Sequence, residues 1–102
     1  MLDAASMAAR HARAHSRSEL ETDELLAHGL VHMLLVLGEA ASRVGEEERR
    51  LHPGIPWRQV VGLRNRLVHG YDDIDPDTVW SVLTKDLPSL ITELERILAT
   101  RE

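Results

Sequence analysis

The chain has no cysteine and no phenylalanine, and its 102 residues include only two tryptophans and one tyrosine. Without cysteine there are no disulfides and no thiolate metal centres, which fits a reducing compartment such as the cytoplasm. Without phenylalanine the core must come from Leu, Val, Ile and Ala, and Leu and Ala favour helix. Long apolar runs are missing too. The longest, Met33 to Leu37, falls far short of the roughly 20 residues that cross a bilayer, so no membrane partner is expected. No signal peptide is visible, and a cytoplasmic location is the expectation. Basic charge is scarce: 12 Lys and Arg against 17 Asp and Glu leave a formal net charge of −5. That weighs against a broad nucleic-acid footprint. It leaves room for a small basic cleft, which Arg58, Arg64 and Arg66 could supply.

Apolar residues at helical spacing dominate what remains, and no period-two segment competes with them. The length points to one domain spanning 1–102. A first helix is expected over 2–16, with a thin stripe of Leu2, Ala5, Ala9 and Ala12. Ser18-Glu19-Leu20-Glu21 has capping-box spacing, and Thr22-Asp23 is a second possible start. The following helix is expected to run to about Arg50. Leu26, Leu30, Met33, Leu37, Ala40 and Val44 form its stripe, widened by Ala27, Val31, Leu34 and Ala41. A helix so broadly apolar is buried on more than one side, which suggests a bundle that also dimerises. Pro53-Gly54-Ile55-Pro56 is a turn, and Pro56 suits the first position of a helix that reaches His69 and stops at Gly70. Tyr71 to Ile74 is a connector. Asp75-Pro76 reads as an N-cap and first-turn proline of a last helix, which Pro88 kinks or divides. The fold class is all-α, an antiparallel bundle of four to five helices.

Segment 64–71 carries chemistry. It gathers Arg64, Asn65, Arg66, His69 and Tyr71 at a helix end. A histidine near a helix C-terminus faces carbonyls that favour its charged form, and it exchanges a proton near neutral pH. Arg64 offers a planar fork for phosphate. Cleavage of RNA needs a base for the ribose 2′-hydroxyl, an acid for the leaving 5′-oxygen and a cation for the phosphorane. Residues 64 and 69 lie roughly 140° apart on an ideal helix, so one copy does not make a compact site unless the helix unwinds near His69. A twofold dimer would set two copies across one cleft.

Arg64, His69 and Tyr71 together resemble the Arg-x4-His-x-Tyr motif of the HepT-like toxins, helical ribonucleases of the HEPN superfamily. The likeness extends to Gly38-Glu39-Ala40-Ala41 and His52-Pro53-Gly54-Ile55-Pro56-Trp57. It continues through Gly62-Leu63-Arg64-Asn65, Val79-Trp80 and Lys85-Asp86-Leu87-Pro88, covering about residues 20–98 in order. The resemblance implies a HEPN-type bundle and a homodimeric, metal-independent endoribonuclease acting as the toxin of a toxin–antitoxin pair. It implies Arg64 and His69 as the catalytic pair, with Asn65, Glu39 and Arg66 supporting or orienting. It also implies a nucleotidyltransferase-fold antitoxin that attaches AMP to Tyr71. The family's chains usually begin earlier than Leu2, and Gly70 is smaller than expected between the motif's His and Tyr. No cofactor is expected. The alternative is a non-catalytic helical module that partners a nucleotidyltransferase, which the net acidity favours.

Other residues have plainer readings. His28 and His32 are four apart, as are His11 and His15, and Glu24 could join the first pair around zinc. Isolated pairs of this kind are ordinarily surface residues, and no metal is assigned. Glu46 to Arg50 reads as a solvated helix face. Trp57 and Trp80 read as core or interface anchors. Glu39, on an otherwise apolar helix, reads as a buried carboxylate with Arg64 as its natural partner.

Overall fold

The computed structural model describes residues 1–67 and 74–101. Among them the chain is helical and forms no strand. The elements are α1 (Leu2–Arg13), α2 (Arg17–Thr22), α3 (Glu24–Ser42), α4 (Glu46–Leu51), α5 (Trp57–Val61), α6 (Leu63–Leu67), α7 (Pro76–Ser81), a π-helical segment (Val82–Asp86) and α8 (Leu87–Arg101).

Helices lie where the apolar spacing put them, but the long ones are divided by caps. The first ends at Arg13 rather than Ser16, because Ser16 caps α2. Its backbone N–H and its hydroxyl both donate to the Glu19 carboxylate, at 2.9 and 3.2 Å. The box therefore starts two residues before the expected Ser18. Asp23 caps α3, accepting from the Leu26 N–H at 3.0 Å, in keeping with the Thr22-Asp23 signal. The expected single helix to Arg50 is cut after Ser42. Arg49 explains the cut. From the next helix, α4, its guanidinium donates to the carbonyls of Val44 (3.0 Å), Ala41 (3.1 Å) and Ser42 (3.3 Å), satisfying the open end of α3. Arg49 is thus a cap, not part of a solvated charge run. Its guanidinium also lies 5.9 Å from the Trp57 ring centre, and the Trp57 indole donates to the carbonyls of Arg49 and His52. Trp57 and Trp80 both pack against the core, as anchors should.

Helix α3 is the centre, with α1, α2, α5 and α6 packed around it. Its buried residues are Ala27, Leu30, Val31, Leu34, Leu37, Gly38 and Ala41, so the residues expected to widen the stripe supply much of the core. Leu26 and Met33 are only partly buried. Alanines of α1 (Ala5, Ala8, Ala9, Ala12) let that helix lie close. Gly38 serves α5 in the same way: a Cβ there would stand 3.0 Å from the Val60 carbonyl oxygen. By length and composition alone α3 could cross a bilayer. The neighbours on its apolar side and the histidines on the other make it the core helix of this fold.

The expected helix from Pro56 is split at Gly62 into α5 and α6. Its expected continuation to His69, the stop at Gly70 and the connector Tyr71–Asp73 lie outside the described residues. Asp75 caps α7, accepting from the N–H groups of Asp77 (3.1 Å) and Thr78 (3.4 Å), with Pro76 beginning the helix as expected. Pro88 does not divide the last helical stretch. It lacks the N–H that the Thr84 carbonyl would receive in an α-helix, and the chain answers with the π segment, in which the Leu87 N–H reaches the Val82 carbonyl.

Candidate active-site cleft

A cleft of about 1040 Å³ runs along the outer face of α3. Its polar lining among the described residues is His28, His32, Glu39, Ser42 and Arg43 from α3 and the loop after it, with Arg64 from α6. At about 100° per residue, positions 28, 32, 39 and 43 fall within roughly 60° of one another, as a row about 22 Å long. Val31, Leu35, Val36 and Val61 make the apolar bed, and Ile74 closes one end.

Arg64 lines the cleft from α6. Leu63 and Leu67 on the same turn-and-a-half are buried, which turns Arg64 outward into the cleft. Among the described residues no carboxylate pairs with it. Among the described residues the cleft has two arginines against one glutamate, although the chain is acidic overall. A local positive site and a net charge of −5 therefore coexist.

Arg66 departs from expectation. Two residues on, it points to the other side of α6, with its guanidinium 3.4 Å from the Asp86 carboxylate. It lines a separate hollow of about 430 Å³ with Lys85 and Asp86. Arg58 is exposed and does not line the main cleft, so Arg58, Arg64 and Arg66 do not form one basic cleft. Glu39 departs as well. It is exposed, and its carboxylate lies 3.4 Å from Arg43, one turn along, rather than on Arg64. The outer face of α3 is open, so no buried charge needs compensating. Asn65 is exposed. His69 and Tyr71 lie outside the described residues; the sequence places His69 two residues beyond Leu67 and Tyr71 three before Ile74. The flanks of that segment are joined, since the Asp75 N–H donates to the Leu67 carbonyl at 3.4 Å.

No three His, Asp or Glu side chains are grouped to hold a metal among the described residues. The Glu24, His28 and His32 set considered for zinc is therefore not assembled. The cleft holds more than the motif suggested: His28, His32 and Arg43 belong to it. Helical spacing could have found them, since 28, 32, 39 and 43 share a face.

An all-α HEPN-type bundle with a cleft between a long apolar helix and an arginine-bearing short one defines the class of protein. The ribonuclease HepT-like family model matches residues 1–97, and the chain belongs to that family. It is 32% identical over 75 residues to "Probable ribonuclease HepT" of Thermococcus cleftensis, an alignment spanning 74% of this chain and 68% of that protein. It is 31% identical over 78 residues to "Putative RNase MJ1380" of Methanocaldococcus jannaschii, spanning 76% of this chain and 72% of the other. No solved structure matches the chain significantly.

Proposed function

We propose that the chain is a metal-independent endoribonuclease working as a homodimer in the cytoplasm, and the toxin half of a toxin–antitoxin pair. The observation that carries this reading is Arg64, unpaired among the described residues and facing the main cleft, in a chain of the ribonuclease HepT-like family.

In the proposed reaction a His69 imidazole takes the proton of a ribose 2′-hydroxyl. The freed oxygen attacks the adjacent phosphorus, and Arg64 holds the charge that grows on the phosphoryl oxygens. The bond to the 5′-oxygen breaks, and that oxygen takes a proton from the second imidazole of the dimer. The products are a 2′,3′-cyclic phosphate and a 5′-hydroxyl. Asn65 and Glu39 have supporting roles beside Arg64. The pairing of Arg66 with Asp86 suits it to tying α6 to the π segment.

Gly29 supports the dimer. It sits inside α3, where glycine costs roughly 1 kcal/mol against alanine. A Cβ there would meet nothing in this protomer, so the protomer's own packing does not call for it. Leu25 and Val36, 85% and 44% exposed, lie on the same helical face. A second copy crossing at Gly29 would cover them and bring two clefts together.

Tyr71 is the proposed off switch. Its hydroxyl would attack the α-phosphate of ATP held by a nucleotidyltransferase antitoxin, releasing pyrophosphate and leaving AMP beside Arg64 and His69. That adds negative charge and bulk where RNA enters. Mass spectrometry of protein coexpressed with the partner is expected to find AMP on Tyr71.

The decisive assay compares RNA cleavage by wild type and His69→Ala, with and without EDTA. Cleavage that survives EDTA, yields cyclic phosphate ends and is lost in the variant is the expected result. Full cleavage by a nuclease-free His69→Ala preparation would remove His69 from the mechanism. No cleavage by wild type, with tight nucleotidyltransferase binding, would favour the non-catalytic module that the net acidity suggests.

A further inference from the structure

Six histidines are present, and two of the described ones are held by neighbouring carboxylates. His15 meets Glu19 at 2.8 Å and His52 meets Glu48 at 3.3 Å. Among the described residues His11 has no such partner either, but it does not line the cleft, whereas His28 and His32 do. Both are exposed, and neither has a hydrogen-bond or ion-pair partner among the described residues. Apart from Glu24 and Ser42 at its ends, α3 carries only three polar side chains, His28, His32 and Glu39, and all three line the cleft that Arg64 enters.

We propose that His28 and His32 form an accessory phosphate-binding row that holds the RNA strand leading to Arg64, engaging it when the imidazoles are protonated. The proposal rests on the ribonuclease reading above. Two imidazoles one turn apart are about 6 Å apart along the helix. A protonated imidazole carries a positive charge and offers an N–H from both ring nitrogens to phosphate oxygens. Among the described residues the groups around them are few. Glu24 lies one turn before His28 and shares with it a hollow of about 200 Å³, which Leu20, Pro76 and Val79 also line. Glu39 and Arg43 continue the row and pair with each other. Arg64 comes from α6, while α5 contributes only Val61 to the cleft lining. Counting the described residues, protonating both imidazoles thus turns a cleft with one surplus positive charge into one with three. Single-stranded RNA bound there releases correspondingly more counterions.

The test measures binding of a 2′-O-methyl RNA oligonucleotide, which cannot be cleaved, at pH 6 and pH 8 over a salt series. The His69→Ala protein serves as background, so that residue 69 contributes no titration. The background protein is expected to bind about tenfold more tightly at pH 6 than at pH 8, at low salt. Adding His28→Gln and His32→Gln is expected to abolish that gain and lower the log–log salt slope at pH 6 by about 1.4. Replacing both by Lys is expected to give tight binding at both pH values, which a merely structural role would not do. In cleavage by protein with an intact His69, the double Gln variant is expected to raise KM at pH 6 while kcat stays within about twofold. An unchanged pH dependence in the double Gln variant overturns the proposal and leaves the ribonuclease reading standing. If the wild type neither binds nor cleaves RNA at either pH, both fall.

Discussion

Arg64 and Arg66 are the same residue type two positions apart, and the helix sends them to different neighbours. Arg66 leans on Asp86, while Arg64 faces the cleft. On the proposed mechanism, Arg64→Ala is expected to lower kcat for RNA cleavage about 10²- to 10³-fold, the usual cost of losing one donor to a developing oxyanion. Arg64→Lys keeps the charge but not the planar fork and is expected to recover only part of that loss. Steady-state cleavage of a single RNA by the three proteins checks the order; equal rates for wild type and Arg64→Ala would remove Arg64 from the reaction. Glu19 offers a pH test away from the site. Its carboxyl is held below the usual carboxylate range by its bond to His15, then by the Ser16 N–H. A group with a lowered folded pKa contributes stability that is full above its unfolded pKa and fades as pH falls through the folded one. Glu19 should therefore add to the acid-side loss of stability below about pH 4.5, the ordinary value for a glutamate. Glu19→Gln is expected to flatten that part of the curve in denaturant titrations at pH 7 and pH 3. A curve parallel to wild type would contradict the capping role.

Gly38 shows how closely the elements must meet for Arg64 to be placed. The Val60 carbonyl would stand 3.0 Å from a Cβ at position 38, so Gly38→Ala must push α5 away from α3. Over-packing of this kind costs roughly 1–3 kcal/mol. The expected readouts are a lowered melting temperature and a weaker kcat, because α6 comes directly after α5. A variant as stable as wild type would mean that α5 moves freely, and the cleft with it. Helix positions are legible in the sequence because apolar spacing, Asp23 and Asp75-Pro76 are local signals. The breaks are less legible. The end of α3 depends on Arg49 reaching back to carbonyls five to eight residues earlier, and no local pattern announces that contact. The π segment requires Pro88 to be read as a missing donor to an upstream carbonyl rather than as a stop. Glu39 reads as buried from sequence because its neighbours there are apolar; only the packing around α3 shows which face stays open.

Whole-molecule behaviour turns on that open face. Two adjacent rows run along the outside of α3: a polar one of His28, His32, Glu39 and Arg43, and an apolar one through Leu25, Gly29 and Val36. If the apolar row seats a second copy, the polar row stays at the mouth of a joint cleft, where a strand of RNA can pass both Arg64 side chains. A charge placed on the apolar row should then separate the copies without harming the protomer, because Leu25 and Val36 contribute little to its core. Leu25→Glu is expected to give a monomer by sedimentation with an unchanged helical circular dichroism spectrum. A buried, unpaired carboxylate on each side of a twofold contact costs several kcal/mol, enough to dissociate a modest interface. On the proposed dimeric mechanism, cleavage should fall with the dimer and return in part at high protein concentration, while each protomer remains folded. A Leu25→Glu protein that stays dimeric would place the contact elsewhere. A stable monomer that still cleaves at the wild-type rate would show that one copy of Arg64 and His69 suffices, against the roughly 140° that an ideal helix puts between them.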